Sequence, residues 1–242
     1  MAEPVIEMKD VSFSAQNERI VREVSLRIAE GTAAALAGPS GGGKSTVLKL
    51  AAGLLVPSGG GVFYRGKNIA SMNRVQNLAF RREAAVVFQD SALWANQNLN
   101  QILELPLKIH FPEMESRKRQ ERIQEAAGIV GYRRDLAVRP AMLSMGEQKL
   151  IAFARALLCH PSLLFLDEWT ESLDDSAAQR LIGIVRRFKA EGKTIIFISH
   201  DFSLIQSLAD CVIMIDEGRI VRRIEGEQIF KDRDLAKLVE ED

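Results

Sequence analysis

Apolar and polar residues alternate along residues 5–13 and again along 19–28, the period-two pattern of strands with one buried face. Residues 32–37 (Thr-Ala-Ala-Ala-Leu-Ala) are apolar almost throughout, as a strand covered on both faces would be. Residues 46–55 then place Val47, Leu48, Leu50, Ala51 and Leu54 at helical spacing. Gly59-Gly60-Gly61 opens a short strand over 62–65, residues 74–82 read as a short charged helix, and 84–88 as a buried strand ending at Gln89. The pattern changes between Leu93 and Arg155. Leu99, Ile102, Leu103, Leu105 and Leu107 precede a charge-rich run over 113–125, with Ile123, Ala126 and Ile129 at helical spacing behind it. This stretch predicts a mostly helical insertion.

Strand signals return at 163–166, 194–199 and 211–215, separated by helix-like 176–189 and 202–209. Such alternation predicts an α/β fold with a mostly parallel sheet covered by helices. Glu217-Gly218 turns the chain into 219–224, and 227–241 predicts a closing helix. There are no internal repeats.

Composition narrows the class. The chain has 242 residues, 47% of them hydrophobic, enough for a sizeable core. Lys and Arg together number 32, as do Asp and Glu, so no net charge draws the chain to nucleic acid or anionic lipid. Cys159 and Cys211 lie far apart in apolar surroundings and read as reduced core thiols, without metal-ligand spacing. Met1-Ala2-Glu3-Pro4 leads directly into strand-like sequence, so no signal peptide is expected. No apolar run approaches the ~18 residues of a membrane span.

Against this background Gly38-Pro39-Ser40-Gly41-Gly42-Gly43-Lys44-Ser45-Thr46 stands out, between a predicted strand and a predicted helix. Glycines at this spacing let the backbone curl so that its N–H groups meet phosphate oxygens, and the helix aims the positive end of its dipole at the same anion. Lys44 can reach the β- and γ-phosphates of a nucleotide, and Ser45 can ligate Mg²⁺. Asp167 and Glu168 end a second apolar strand. A carboxylate there lies beside the phosphate loop in open parallel sheets, so Asp167 is placed to hold Mg²⁺ through a water and Glu168 to polarise the water that attacks the γ-phosphate. Gln89 follows another buried strand and can reach the metal or the water. His200 follows a third and can hydrogen-bond the γ-phosphate as a neutral imidazole. Leu143-Ser144-Met145-Gly146-Glu147-Gln148 precedes a helix-like run over 149–158 and forms a second anion cradle. One chain does not need two phosphate cradles, whereas two chains placed head to tail can use the second to cover the partner's nucleotide.

With these stations in order, the sequence resembles the ATP-binding subunit of an ABC transporter over nearly its whole length. Residues 38–46 are similar to that family's Walker A and 163–168 to its Walker B with the catalytic glutamate. Gln89 matches the Q-loop, 143–148 the signature, Ser172-Leu173-Asp174 the D-loop and His200 the switch histidine. The resemblance implies a single ATPase domain over 1–242. Residues 1–92 and 156–242 would form a P-loop hydrolase core with an N-terminal antiparallel β subdomain, and 93–155 an inserted helical subdomain carrying the signature. It implies ATP and Mg²⁺ as cofactors, with Ser45, Gln89 and Asp167 around the metal. It also implies a second copy of the chain, whose ATP meets Ser144, Met145, Gly146 and Glu147, and gives Asp174 as the D-loop residue. Integral membrane transporter subunits would be the other partners, holding the chain on the cytoplasmic face of the membrane, with no nucleic acid involved.

Four positions depart from the family pattern. Ala15 stands near where an aromatic usually stacks on adenine, Met145 where the signature has its first Gly, Leu150 where an Arg often follows, and Trp169 where a Pro follows the glutamate. Weaker adenine binding or slower turnover is the expected consequence, with the chemistry intact. Two other readings stay open: a soluble ABC-type ATPase, and a regulatory module that holds ATP but hydrolyses it poorly. One cassette and zero net charge argue against the first, and the retained Glu168 and His200 against the second. Leu93, Trp94 and Leu99 form an apolar stretch where the family receives its membrane partner, or ordinary core. Arg117-Lys118-Arg119 and Arg122 lie among glutamates and read as a solvated helix face. Ser91-Ala92-Leu93-Trp94 and Leu105-Pro106-Leu107 are similar to the ATPases of bacterial intermembrane phospholipid transporters, which implies a phospholipid cargo, with lipoprotein-releasing and small-solute transporters as competitors.

Overall fold

The computed structural model describes residues 3–231. Two strands, β1 (Pro4–Ala15) and β2 (Glu18–Ala29), pair antiparallel through a turn at Gln16 and Asn17. With β4 (Gly59–Tyr64) and β5 (Lys67–Asn68) they form a four-stranded sheet in the order β2-β1-β4-β5. Gly59, Gly60 and Gly61 belong to β4 itself, which therefore starts three residues before the expected 62 and ends at Tyr64.

The second sheet has six strands in the order β10-β9-β3-β8-β7-β6. Its members are β3 (Ala33–Ala37), β6 (Ala84–Val87), β7 (Leu163–Asp167), β8 (Thr194–Ile198), β9 (Cys211–Asp216) and β10 (Arg219–Glu225). All neighbours run parallel except the β9–β10 hairpin at one edge. β3, β7 and β8 are buried throughout, which explains their unbroken apolar runs. Successive residues enter opposite cores. Ala33, Ala35, Leu164, Leu166, Ile195 and Phe197 face one, and Ala34, Leu36, Leu163, Phe165, Ile196 and Ile198 the other.

The first of these cores also takes in the helices between β6 and β7, namely α3 (Leu99–His110), α4 (Ser116–Val130) and α5 (Met145–Leu157), and then α6 (Asp175–Ala190) and α7 (Phe202–Leu208). Leu99, Ile102, Leu103 and Leu107 of α3 pack there with Ile123, Ala126 and Val130 of α4. On α4, Arg117 pairs with Glu121 and Lys118 with Glu115 at the surface, whereas the Arg119 side chain, 15% exposed, pairs with Glu104 on α3 and Arg122 lies over the Phe111 ring, so the solvated face expected of all four is seen for the first two. The second core joins the antiparallel sheet to α1 (Lys44–Ala51).

Three boundaries differ from the sequence pattern. α1 stops at Ala51, short of residue 55, because Gly53 takes φ +63° and leaves Leu54 exposed. α5 starts at Met145, four residues before the expected 149, because Ser144 caps it. Of the closing helix expected over 227–241, α8 (Gln228–Lys231) is seen and the remainder lies outside the described residues. A short helix, α2 (Arg74–Glu83), precedes β6 as its charge pattern predicts. Among the described residues no helix is long and apolar enough to cross a membrane. Cys211 is buried and Cys159 half-buried, both are free, and burial pushes each thiol up to about 11.

Candidate nucleotide-binding site

Because β3, β6, β7 and β8 run parallel, their carboxyl ends share one edge of the sheet. β3 delivers the glycine-rich loop, β6 delivers Gln89, β7 ends in Asp167 with Glu168 following, and β8 is followed two residues later by His200.

The loop can take its path only with glycine at its corners. Gly38 has φ +133°, and a Cβ there would stand 2.0 Å from the Ile215 carbonyl oxygen. Gly43, the residue before α1, has φ +99°. Lys44 is buried and folds back over the loop, its Nζ donating to the carbonyl oxygens of Gly38 and, at 3.1 Å, Pro39. The β9–β10 turn braces the loop from outside. The Gly218 N–H donates to the Gly42 oxygen at 3.0 Å, and Arg22 N–H to the Gly218 oxygen at 2.8 Å.

A cleft of about 560 Å³ opens over the loop, lined by residues 40–46 together with Ile20, Gln89, Glu168, Glu171 and His200. Glu168 sits at its centre, in a left-handed backbone conformation (φ +44°). One carboxylate oxygen lies 2.8 Å from His200 Nε2, and the other accepts from Gln89 Nε2 at 2.5 Å. The same Gln89 amide donates to Glu171 at 3.2 Å. Burial pushes the Glu168 carboxyl above the usual range. The His200 contact opposes that shift and Glu171 adds to it.

Ser45 Oγ donates to the buried Asp167 carboxylate at 3.1 Å. An adjoining depression of about 440 Å³ is lined by Ser45, Lys49, Gln89, Asp90 and Asp167, so the three residues expected around a metal share one wall. Burial raises the Asp167 carboxyl, against the opposing hydrogen bond from Ser45 and the charges of Lys49 and Lys149.

The remaining expected residues lie elsewhere. Ser144 caps α5: its hydroxyl accepts from Glu147 N–H at 3.2 Å, while Glu147 accepts from Ser144 N–H at 2.9 Å and pairs with Arg134. Met145 beside it is 65% exposed. Gly146 packs on the turn before α6, where a Cβ would stand 2.9 Å from the Ser172 oxygen. Asp174 caps α6 by accepting from Ala177 N–H at 2.8 Å. None of these lines the cleft.

Ala15 does not line the cleft either; the apolar side chain there is Ile20. Leu150 and Trp169 are both core residues. Three contributors escaped the sequence pattern. Ile20 looked like any residue of an alternating strand, Glu171 like an exposed loop carboxylate, and Gly218 like a plain turn. A glycine in a tight turn was the one available signal.

Comparison with known proteins agrees with this geometry. The family model described as ABC transporter matches residues 21–171. The nickel import ATP-binding protein NikE of Brucella suis is 36% identical over 209 residues, 85% of this chain and 78% of that protein. The methionine import ATP-binding protein MetN of Brucella abortus is 34% identical over 218 residues, 90% of this chain and 58% of that protein. Among solved structures, the dimeric post-hydrolysis state of the ATP-binding cassette MJ0796 bound to ADP and Pi superposes with a TM-score of 0.83 at 26% identity, covering 91% of this chain and 98% of that one. The chain therefore belongs to the ABC transporter family as an ATP-binding, ATP-hydrolysing subunit.

Proposed function

We propose that this chain powers a membrane transporter as one of two ATPase subunits that close head to tail over two ATP molecules. The convergence of Gln89, Glu168 and His200 on the cleft above the phosphate loop carries the reading. In it the loop amides and Lys44 bind the phosphates and Glu168 takes the proton of the attacking water. His200 orients Glu168 and contacts the γ-phosphate, and Gln89 leaves Glu168 for the metal region when nucleotide enters. Ser45 and Gln89 with Asp167, through water, offer the hydroxyl, amide and carboxylate oxygens that Mg²⁺ prefers, and these residues would hold it. The metal's contribution when bound is to neutralise phosphate charge.

Ser144 and Gly146 lie outside this chain's own cleft, at the start of another helix, which supports their use on a partner's nucleotide. In this reading Asp174 stands near the subunit junction. Residues 1–92 and 156–242 act as the hydrolysing core, with 93–155 carrying the signature. Trp94, 45% exposed, belongs to the face offered to integral membrane subunits, which hold the chain at the cytoplasmic surface of the membrane.

The cargo we infer is a small solute taken into the cell, the class represented by the nickel and methionine import relatives. The phospholipid expectation rests on residues 91–94 and 105–107 alone and finds no support among these relatives. The decisive experiment is Glu168→Gln: steady-state hydrolysis should vanish and an ATP-bound dimer accumulate on size exclusion, whereas an unchanged rate would sink the assignment. Co-purification of an integral membrane subunit separates a transporter ATPase from a soluble one.

A further inference from the structure

Lys149 is a charged side chain that the cycle above does not use. It sits on α5 five residues after Ser144 and is only 2% exposed. With Lys44 it is one of two buried cations among the described residues. Among the described residues no carboxylate pairs with it at contact distance; its Nζ points at backbone instead. It donates to the carbonyl oxygen of Gln89, and lies 3.4 Å from that of Phe88 and 3.4 Å from that of Glu168. An ammonium has three donors, and here three carbonyls from two strand ends surround it.

Two physical consequences follow. First, the contacts join three segments distant in sequence: the signature helix, the end of β6 at Gln89 and the end of β7 at Glu168. Glu168 is held at φ +44°, a conformation that persists only where surroundings enforce it. Second, the ammonium is buried with its charge answered by backbone carbonyls, an arrangement that holds only while all three segments keep their places. An apolar side chain of similar length would leave those carbonyls without its donor.

We propose that Lys149 is a positioning residue that ties the helix presented to the partner's nucleotide to this subunit's own Gln89 and Glu168. Engagement of Ser144 by the partner's phosphate is thereby transmitted along α5 to the hydrolysing carboxylate. The proposal rests on the roles given above to Gln89 and Glu168.

The test compares Lys149→Gln and Lys149→Met with the parent full-length chain. It uses steady-state ATPase kinetics, Mg²⁺ titration and thermal unfolding. Lys149→Gln keeps an amide donor for the carbonyls but removes the charge. It is expected to unfold within a few degrees of the parent, to lose about tenfold in kcat with KM for ATP changed less than about twofold, and to need more Mg²⁺ for half-maximal rate. Lys149→Met, lacking both donor and charge, should lose more kcat than Lys149→Gln. Parent kcat and parent Mg²⁺ requirement in Lys149→Gln would overturn the proposal. So would a loss of kcat matched by an equal loss of folded protein in both variants. Glu168→Gln run alongside separates the two readings: residual hydrolysis there removes the role of Glu168, whereas an inactive Glu168→Gln beside a normal Lys149→Gln removes only that of Lys149.

Discussion

Glu168 and His200 meet at 2.8 Å across the ends of β7 and β8, adjacent strands of the parallel sheet. Together with burial and Glu171, this contact shifts the ionisation of the Glu168 carboxylate. Burial and the Glu171 carboxylate both push the Glu168 carboxyl up, and the imidazole pushes it down. A carboxylate with a raised pKa takes its proton at a higher pH than an ordinary glutamate. Hydrolysis should therefore fall early as the solution is acidified. Glu171→Gln removes a like charge beside the base and should shift the acid limb of kcat/KM to lower pH, with the alkaline limb in place. A pH–rate profile of the two proteins decides it, and an unmoved acid limb would show that Glu171 does not act on the base.

Replacing the imidazole works in the opposite sense. His200→Ala deletes the hydrogen bond that lowers the Glu168 carboxyl, so its pKa should rise further and the acid limb move to higher pH. The orienting contact is lost as well. We expect kcat to drop about a hundredfold, the low end for positioned acid–base groups, with ATP binding retained. Equilibrium nucleotide binding beside turnover checks this. Loss of binding in proportion to rate would mean that His200 holds substrate instead of orienting Glu168.

The apolar side chain lining the cleft is Ile20, carried on β2 and partly buried against the core that includes the antiparallel sheet. Among the described residues no Phe, Tyr or Trp lines the cleft, so apolar contact with a base falls to this residue. Ile20→Ala should raise KM for ATP about fivefold, equivalent to roughly 1 kcal/mol of lost apolar contact, and leave kcat unchanged. ATP and GTP should be hydrolysed with similar efficiency, since an aliphatic side chain reads no base edge. A strong preference for ATP would point to another adenine contact.

The contrast between Ile20 and the phosphate loop shows where sequence reading succeeds. Gly38 and Gly43 announce themselves because the chain needs φ values that other residues resist, so local conformation is written in residue type. β3, β7 and β8 were legible for a similar reason: strands buried on both faces have no polar positions to spare. Ile20, Glu171 and Lys149 gain their places from approach in space. Lys149 shows this best, since a lysine on a helix reads as solvent-exposed until the strand ends carrying Phe88, Gln89 and Glu168 close over it. The strand character of Gly59–Tyr64 follows the same logic. There the partner strand β1 overrides the weak strand preference of glycine.

Trp169, immediately after Glu168, supplies a stability test with an unusual order of outcomes. Its side chain is fully buried with its ring 5.8 Å from that of Phe153, and its indole Nε1 is buried without a hydrogen-bond partner. An unsatisfied buried donor costs about 1–3 kcal/mol, whereas a truncated core aromatic costs about 3–5 kcal/mol through lost contact and the void left behind. Trp169→Phe removes the orphan N–H along with part of the ring, so gain and loss nearly cancel. Its unfolding free energy should stay within about 1 kcal/mol of the parent, while Trp169→Ala should lose about 3–5 kcal/mol. Urea unfolding followed by circular dichroism measures both, because only Trp94 remains as an indole in either variant. Trp169→Phe losing as much as Trp169→Ala would mean that the indole is held by an interaction its nitrogen makes, and that packing on Phe153 is not what keeps Glu168's neighbour in place.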